Sequence, residues 1–481
     1  MPVCKQLLSL SGTNPGFPLL KTRHMTRYLI TGMTKKRFYR KVLPVFLSCY
    51  LLLNGSAVSA QGTAASFPLS AGATKTLIDS LTNQIIKYYV IKDAAIKINS
   101  YIKKRYKEGH YNNIKDPHVL AGALTSDILF INRDEHLHLE YNPKLASELL
   151  GNIEDVPKMV AEKLRQEKEK NFGFKKVEIL NGNIGYLEIS GFSRLNNYSK
   201  ATADAALKLL ANSRAIIIDL RYGVGGSPEM VNHIISHFFK QSTHVMDIYI
   251  RSENTTLPYW TAPDSSYGAL TEIPLYILTS YKTFSAAEGL SYQLQSLKRA
   301  TIVGETTRGG AHTVTYRPLS SGFVCDIPFG RAISPLTKKN WEKTGVVPDI
   351  KVPAERALEI AEAKIFEEAF RNSKDSSEIK SLKWQLELMQ SINHPVQLDT
   401  ATFHSFAGLY GAYAITYSNG VLYYQKTGKA RFPLIPMTSS IMRVKGNDSF
   451  TVEFFKNYYG KVSRIATRYD DGRIEYAERT D

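Results

Sequence analysis

Residues 215–228 read AIIIDLRYGVGGSP: an unbroken apolar run closed by an aspartate, then a glycine-rich turn, then the start of a helix. An apolar run of that length between turn signals fits a strand buried on both faces. The flanking sequence repeats the pattern in both directions. NIGYLEI (183–189) reads as a strand, YSKATADAALKLL (198–210) as a helix, SPEMVNHIISHFF (227–239) as a helix, LYILTS (275–280) as a strand, AAEGLSYQLQSLK (286–298) as a helix and ATIVG (300–304) as a strand. Strand and helix in alternation predict right-handed crossovers and a largely parallel sheet, so the fold class is α/β. In such sheets, binding and reacting groups collect where strands end and helices begin.

Beyond this block the periodicity changes. Residues 74–150 are helical in pattern, with Leu77, Leu81 and Ile85 at every fourth position and an Asp116-Pro117 start signal, which predicts a helical bundle. The α/β domain is expected over 172–352 and a charged helical connector over 353–399. From 400 to 481 the chain turns to short tyrosine-rich strands, with hairpin signals at Asn419-Gly420 and Asp471-Gly472, so a small antiparallel β domain is expected.

The formal charge of the 481-residue chain is +17, which invites nucleic acid as a partner. More than half of that excess sits in the first 60 residues, which hold nine Lys or Arg and no acid. Thereafter basic and acidic residues are interspersed, the pattern of a solvated surface, and nucleic acid is set aside. Residues 35–41 (KKRFYRK), the apolar VLPVFLSCYLLL and the small-residue NGSAVSA form the three parts of an export signal, with cleavage expected near Ala60. The apolar run is shorter than the ~20 residues of a spanning helix, so no stable membrane span is expected in the exported chain. Removal of the signal would leave Cys325 as the sole cysteine and no intramolecular disulfide.

Ser285 lies in TSYKTFSAAEGL (279–290), where a strand gives way to a helix. Two readings are open: a helix N-cap, or a nucleophile above unpaired helix N–H groups that would stabilise a developing oxyanion. The Gly225-Gly226 turn offers further backbone N–H groups to an anion. A phosphate site is the competing reading of those glycines, but neither a P-loop lysine nor a complete GxGxxG is present. No HExxH, paired cysteines or dense carboxylate set marks a metal site, and no cofactor is expected.

Taken together, RYKEGHY (105–111), SDILFINRDEHLHLEY (126–141), NFGFKKVEILNGNIGYLEISGF (171–192), IIIDLRYGVGGSPEMV (216–231), TSYKTFSAAEGLSYQLQSLKRATIVGETTRGGAH (279–312) and NWEKTGVVPDI (340–350) resemble, in order, the S41 peptidases. That family contains the tail-specific and C-terminal processing proteases, and the likeness is strongest to its interphotoreceptor retinoid-binding protein branch. The resemblance implies a ClpP/crotonase-like core, Ser285 as nucleophile, an oxyanion hole from Ala286 with Gly225 or Gly226, and hydrolysis of a peptide or protein substrate. In the processing proteases a lysine 25 residues after the serine is the base. Gly310 stands at that position, which excludes the lysine mechanism. The stretch between Tyr141 and Phe172 also lacks the length and β character of the PDZ domain those proteases use.

Tricorn-type members pair the serine with a histidine in the segment matching RDEHLHL (133–139), which implies His136 as base and Glu342 as the group that orients it. His138, two residues on, and His312 in GGAH are the rivals, and Asp134 reads as a support for the His136 loop or a plain turn residue. Glu288 matches the family's Ser-x-x-Glu motif, either as a polar support of the site or as a first-turn carboxylate facing the helix dipole. A hydrophobic-ligand or peptide carrier without catalysis is the alternative function that the same resemblance allows.

Overall fold

The computed structural model describes residues 68–151, 156–264 and 270–481. The export signal read over 1–60 lies outside the described residues. Among those described, no helix is long and apolar enough to cross a membrane.

A six-stranded sheet forms the centre of the α/β domain, in the order Ile350–Lys351, Ala300–Gly304, Leu275–Thr279, Ala215–Asp219, Ile184–Ile189, Phe174–Leu180. All neighbours are parallel except Phe174–Leu180, which pairs antiparallel at one edge. The two central strands, Ala215–Asp219 and Leu275–Thr279, are buried at every residue, which is why their sequences do not alternate. One face is covered by the helix Ala357–Asn372, whose Ala361, Ile365 and Phe366 pack with Ile184, Ile217 and Tyr276 in one core. The stretch read as a connector is therefore part of the sheet's packing.

A second sheet, not anticipated from the sequence, carries the N-terminal region onto this domain. It runs His138–Tyr141, Phe323–Ile333, His244–Ile250, Thr255–Trp260, with His312–Pro318 also paired to Phe323–Ile333. The helices Ala71–Tyr88, Lys92–Lys107 and Pro117–Ile131 pack against it, so Leu77, Leu81, Ile98 and Leu124 share a core with Phe323, Cys325 and Ile327. Three helices of the expected bundle are thus laid on a sheet, and a fourth, Pro143–Leu150, follows its first strand. The register His138↔Asp326 to Tyr141↔Phe323 fixes the loop that precedes His138 against the α/β domain.

The C-terminal strands form an eight-stranded antiparallel meander from Gly408–Tyr410 to Ile474–Glu478, each strand beside its neighbour in sequence. A Tyr410↔Arg479 bridge and the Thr480 N–H bond to the Leu409 carbonyl, 2.8 Å, draw the first and last strands together. Phe406, Tyr410, Tyr424 and Phe454 belong to the core of this near-barrel, so packing accounts for part of its tyrosine content, while Tyr458, Tyr459 and Tyr476 are exposed. At the first predicted hairpin, Asn419 and Gly420 both take positive φ, 51° and 78°.

Candidate active site

The strand Leu275–Thr279 ends in a turn that leads to Ser285 at the N-terminus of the helix Ala286–Ser296. Ser285 has φ 57° and ψ −116°, a conformation that costs a non-glycine residue on the order of 1–3 kcal/mol and persists only where the surroundings enforce it. The enforcement comes from Glu288, buried one helical turn on. Its Oε2 accepts the N–H groups of Ser285 at 2.7 Å and Gly310 at 2.8 Å, and its Oε1 accepts Gly309 N–H and Thr307 Oγ1–H, each at 2.6 Å. Burial raises the Glu288 pKa, against the pull of these four donors. The carboxylate thereby ties the serine turn to the 307–310 loop.

Ser285 Oγ lies 3.1 Å from His136 Nε2. His136 sits in the turn before the strand His138–Tyr141, is 1% exposed, and stacks on Phe284 with ring centroids 4.6 Å apart. The Arg308 guanidinium covers Phe284 at 3.9 Å. Burial depresses the His136 pKa to about 4, with the Asp134 carboxylate opposing. Its Nδ1 makes no hydrogen bond among the described residues, and Asp134 Oδ1 stands 3.9 Å away.

Asp134 is fully buried and accepts three hydrogen bonds: the His136 backbone N–H at 3.1 Å, Tyr89 O–H at 2.9 Å and His312 Nδ1 at 2.7 Å. Burial works against its ionisation, but the His312 bond and charge overcome this and hold the carboxyl below its ordinary range. His312 is shifted the other way: burial lowers its pKa, Asp134 more than compensates, and the net direction is up. Glu342 lies beyond His312, 3.6 Å from Nδ1, and accepts the Ala311 N–H at 2.8 Å. Burial pushes its carboxyl up to about 7.

Glu342 makes no hydrogen bond to His136; Asp134, read as an auxiliary, is the carboxylate bonded to the His136 segment and bridges it to His312. His138, the rival base, begins the strand that follows His136, and its Nε2 lies 3.6 Å from Asp326. The sequence reading also passed over Tyr89, Phe284 and Arg308, whose roles arise from contacts across the fold. Proximity to His136 was the one signal available for Asp134.

Gly225 and Gly226 lie on the other side of Ser285. A Cβ added at Gly225 would come within 3.3 Å of Ser285 Oγ, and one at Gly226 (φ 149°) within 2.1 Å of the Phe192 carbonyl oxygen. The turn is pinned by Phe192, whose N–H reaches the Gly225 carbonyl at 3.3 Å and whose carbonyl accepts Ser227 N–H at 2.8 Å. The N–H groups of Gly225, Gly226 and Ala286 take no acceptor among the described residues. Beside them opens a pocket with apolar walls from Val231, Met246, Ile248, Val314 and Trp341. Asp134, His136 and Glu342 are close enough together to share a cation, but Asp134 already accepts three donors.

The α/β domain presents a serine on a strained turn facing a buried imidazole. Residues 183–352 match the model of peptidase family S41, and residues 63–175 match the N-terminal domain of peptidase S41 in eukaryotic IRBP. The chain belongs to peptidase family S41. It is 31% identical over 172 residues to the carboxyl-terminal-processing peptidase 2, chloroplastic, of Arabidopsis thaliana, covering 35% of this chain and 32% of that one. It is also 31% identical over 167 residues to a carboxyl-terminal-processing protease of Synechocystis, covering 34% and 37%. The match thus spans about a third of the length of these relatives. A putative peptidase from Parabacteroides merdae superposes with a TM-score of 0.43 at 15% identity, covering 63% of this chain and 98% of that one.

Proposed function

We propose that this protein is an exported serine peptidase in which His136 replaces the lysine base of the processing proteases. The observation that carries this reading is the 3.1 Å contact between His136 Nε2 and Ser285 Oγ. That distance is within the range for general-base transfer. His136 takes the Ser285 proton as Oγ bonds to the substrate carbonyl carbon, and the oxyanion is met by the N–H groups of Ala286 and of Gly225 or Gly226. The imidazolium then gives that proton to the leaving amine as the C–N bond breaks. Water, deprotonated by His136, releases the acyl group, and the proton returns to Ser285.

Asp134 stabilises the imidazolium through its negative charge, and His312 with Tyr89 holds Asp134 in place. Glu342 acts one step further out, on His312. Glu288 preserves the serine turn and does not exchange protons with substrate. The pocket beside Ser285 favours an apolar side chain on the residue contributing the scissile carbonyl. Export rests on the basic, apolar and small-residue order of residues 35–60.

A fluorescent phosphonate directed at active serines tests the assignment. Stoichiometric labelling at Ser285, with loss in Ser285→Ala and strong slowing in His136→Ala, is expected. A folded protein that resists labelling and cleaves no peptide, yet binds apolar ligands in this pocket, would instead favour the carrier function.

A further inference from the structure

The pocket beside Ser285 has apolar walls, but one side-chain amide also lines it, that of Gln293. Ser285, Gly289 and Gln293 follow one another at a spacing of four, so they stack along one face of the helix Ala286–Ser296 with the serine at its N-terminus. The Gly289 N–H bonds to the Ser285 carbonyl at 2.9 Å, which makes this face helical from the serine onward. Helix side chains lean toward the N-terminus, and this brings the Gln293 amide back over Gly289. A Cβ added at Gly289 would stand 3.6 Å from Gln293 Nε2 and 3.4 Å from Trp341 Cη2. The amide therefore lies about one helical turn beyond the serine, roughly 6 Å along the axis, and Gly289 leaves the lane between them clear.

Gln293 is 3% exposed, and its amide is poorly partnered. Its side-chain hydrogen bond runs from Nε2 to Met246 Sδ at 3.6 Å, and a thioether is a weak acceptor. Because that sulfur accepts and does not donate, the nitrogen faces Met246 and Oε1 faces away from it. Oε1 takes no donor among the described residues. An occupant that seals the pocket without supplying a donor leaves this oxygen desolvated and unpaired, at the full cost of a buried polar group. We infer that Gln293 reads the tip of the side chain entering this pocket, and that the residue preferred at the scissile carbonyl is tyrosine, whose phenol O–H donates to Gln293 Oε1.

Reach and shape select the phenol. The walls from Val231, Met246, Ile248, Val314 and Trp341 favour an apolar body, and the amide stands at the far end of that lane. Serine and threonine are too short to reach it. Tryptophan carries its N–H on the flank of the ring, and lysine would bring a charge that no carboxylate of the lining neutralises. Phenylalanine fits the same lane but leaves Oε1 without a donor. The walls thus select the body of the side chain and Gln293 its tip. This inference rests on the peptidase reading of Ser285.

The test uses two phosphonate probes for active serines that differ only in carrying a tyrosine or a phenylalanine side chain, together with two peptides that differ in the same way. Labelling of Ser285 in the full chain is followed by mass spectrometry, and cleavage by kcat/KM. The tyrosine probe and peptide should be favoured by on the order of 10–100-fold. Gln293→Met keeps the side-chain length and removes the amide, so it should bring that ratio close to one. The phenylalanine probe should then react faster than with the wild type, because no polar group is sealed beneath it; Gln293→Leu should behave alike. A wild-type ratio near one with Ser285 labelled would overturn the inference and leave the peptidase reading standing. So would a tyrosine preference that survives both substitutions. Failure of both probes to label Ser285 would overturn the peptidase reading and this inference with it.

Discussion

Gly310 and His136 leave no room for a side chain between them: a Cβ on Gly310 would lie 2.6 Å from His136 Cε1 and 2.4 Å from Phe284 Cε2. In the proposed function His136 takes the place of the lysine base that the resembling proteases carry at the position of Gly310, and the crowding here is what a lysine at that position would meet. Gly310→Lys should therefore fail to restore a lysine base. Both Gly310→Ala and Gly310→Lys are expected to lose most activity, with Gly310→Ala destabilised by about 1–3 kcal/mol through overpacking. Peptidase assays with parallel chemical denaturation check this, and a Gly310→Lys enzyme with wild-type turnover would refute it.

Ser285 carries positive φ where the backbone alone would prefer glycine. Ser285→Ala and Ser285→Gly should both be inactive for want of the hydroxyl, but they should differ in stability. Alanine keeps the strain and glycine relieves it, so Ser285→Gly is expected to exceed Ser285→Ala by about 1 kcal/mol. Denaturation midpoints of the two variants decide the matter; equal midpoints would show that the turn is unstrained.

Asp134 is hydrogen-bonded to the His136 segment, whereas Glu342 comes within 4.8 Å of it without a hydrogen bond and also faces His312. Asp134→Asn should accordingly lower kcat/KM by up to about 10⁴-fold, as expected for loss of the carboxylate behind a general-base histidine. Glu342→Gln and His312→Ala should cost less than Asp134→Asn, and His138→Ala should retain most activity. A Glu342→Gln loss as large as that of Asp134→Asn would return Glu342 to the orienting role.

The pH dependence follows from the shifted groups. His136 is held neutral down to about 4, so the acid limb of kcat/KM should fall below the ordinary histidine range near 6.5, not within it as the isolated sequence suggests. For stability, the unfolded chain binds the extra proton at His136 between about 4 and 6.5, so this group makes stability rise with pH across that window. Glu342 has the opposite sign. Its carboxyl is raised from 4.5 to about 7, the folded state binds the extra proton, and stability falls as pH rises through that interval. Glu342→Gln removes that fall, so its melting temperature should gain on the wild type between pH 5 and about 8. A constant difference across that range would contradict the raised carboxyl.

What residues 183–304 determined locally was read correctly because buried parallel strands and their crossover helices leave a mark within each short segment. The apolar runs at 215–219 and 275–279, the Asn419-Gly420 turn and the serine at a strand-to-helix junction each depend on neighbours a few residues away. Family resemblance then singled out His136 among otherwise equal histidines. The tertiary structure decided the rest: that Asp134 sits between His136 and His312, 178 residues apart from the latter, and that His138 turns to Asp326. Periodicity reports only which face of its own element a residue occupies, whereas these contacts are set by sheet pairing and helix packing between distant segments. The strand Phe323–Ile333 is the clearest case, since its pairing with His138–Tyr141 fixes the turn that brings His136 to Ser285.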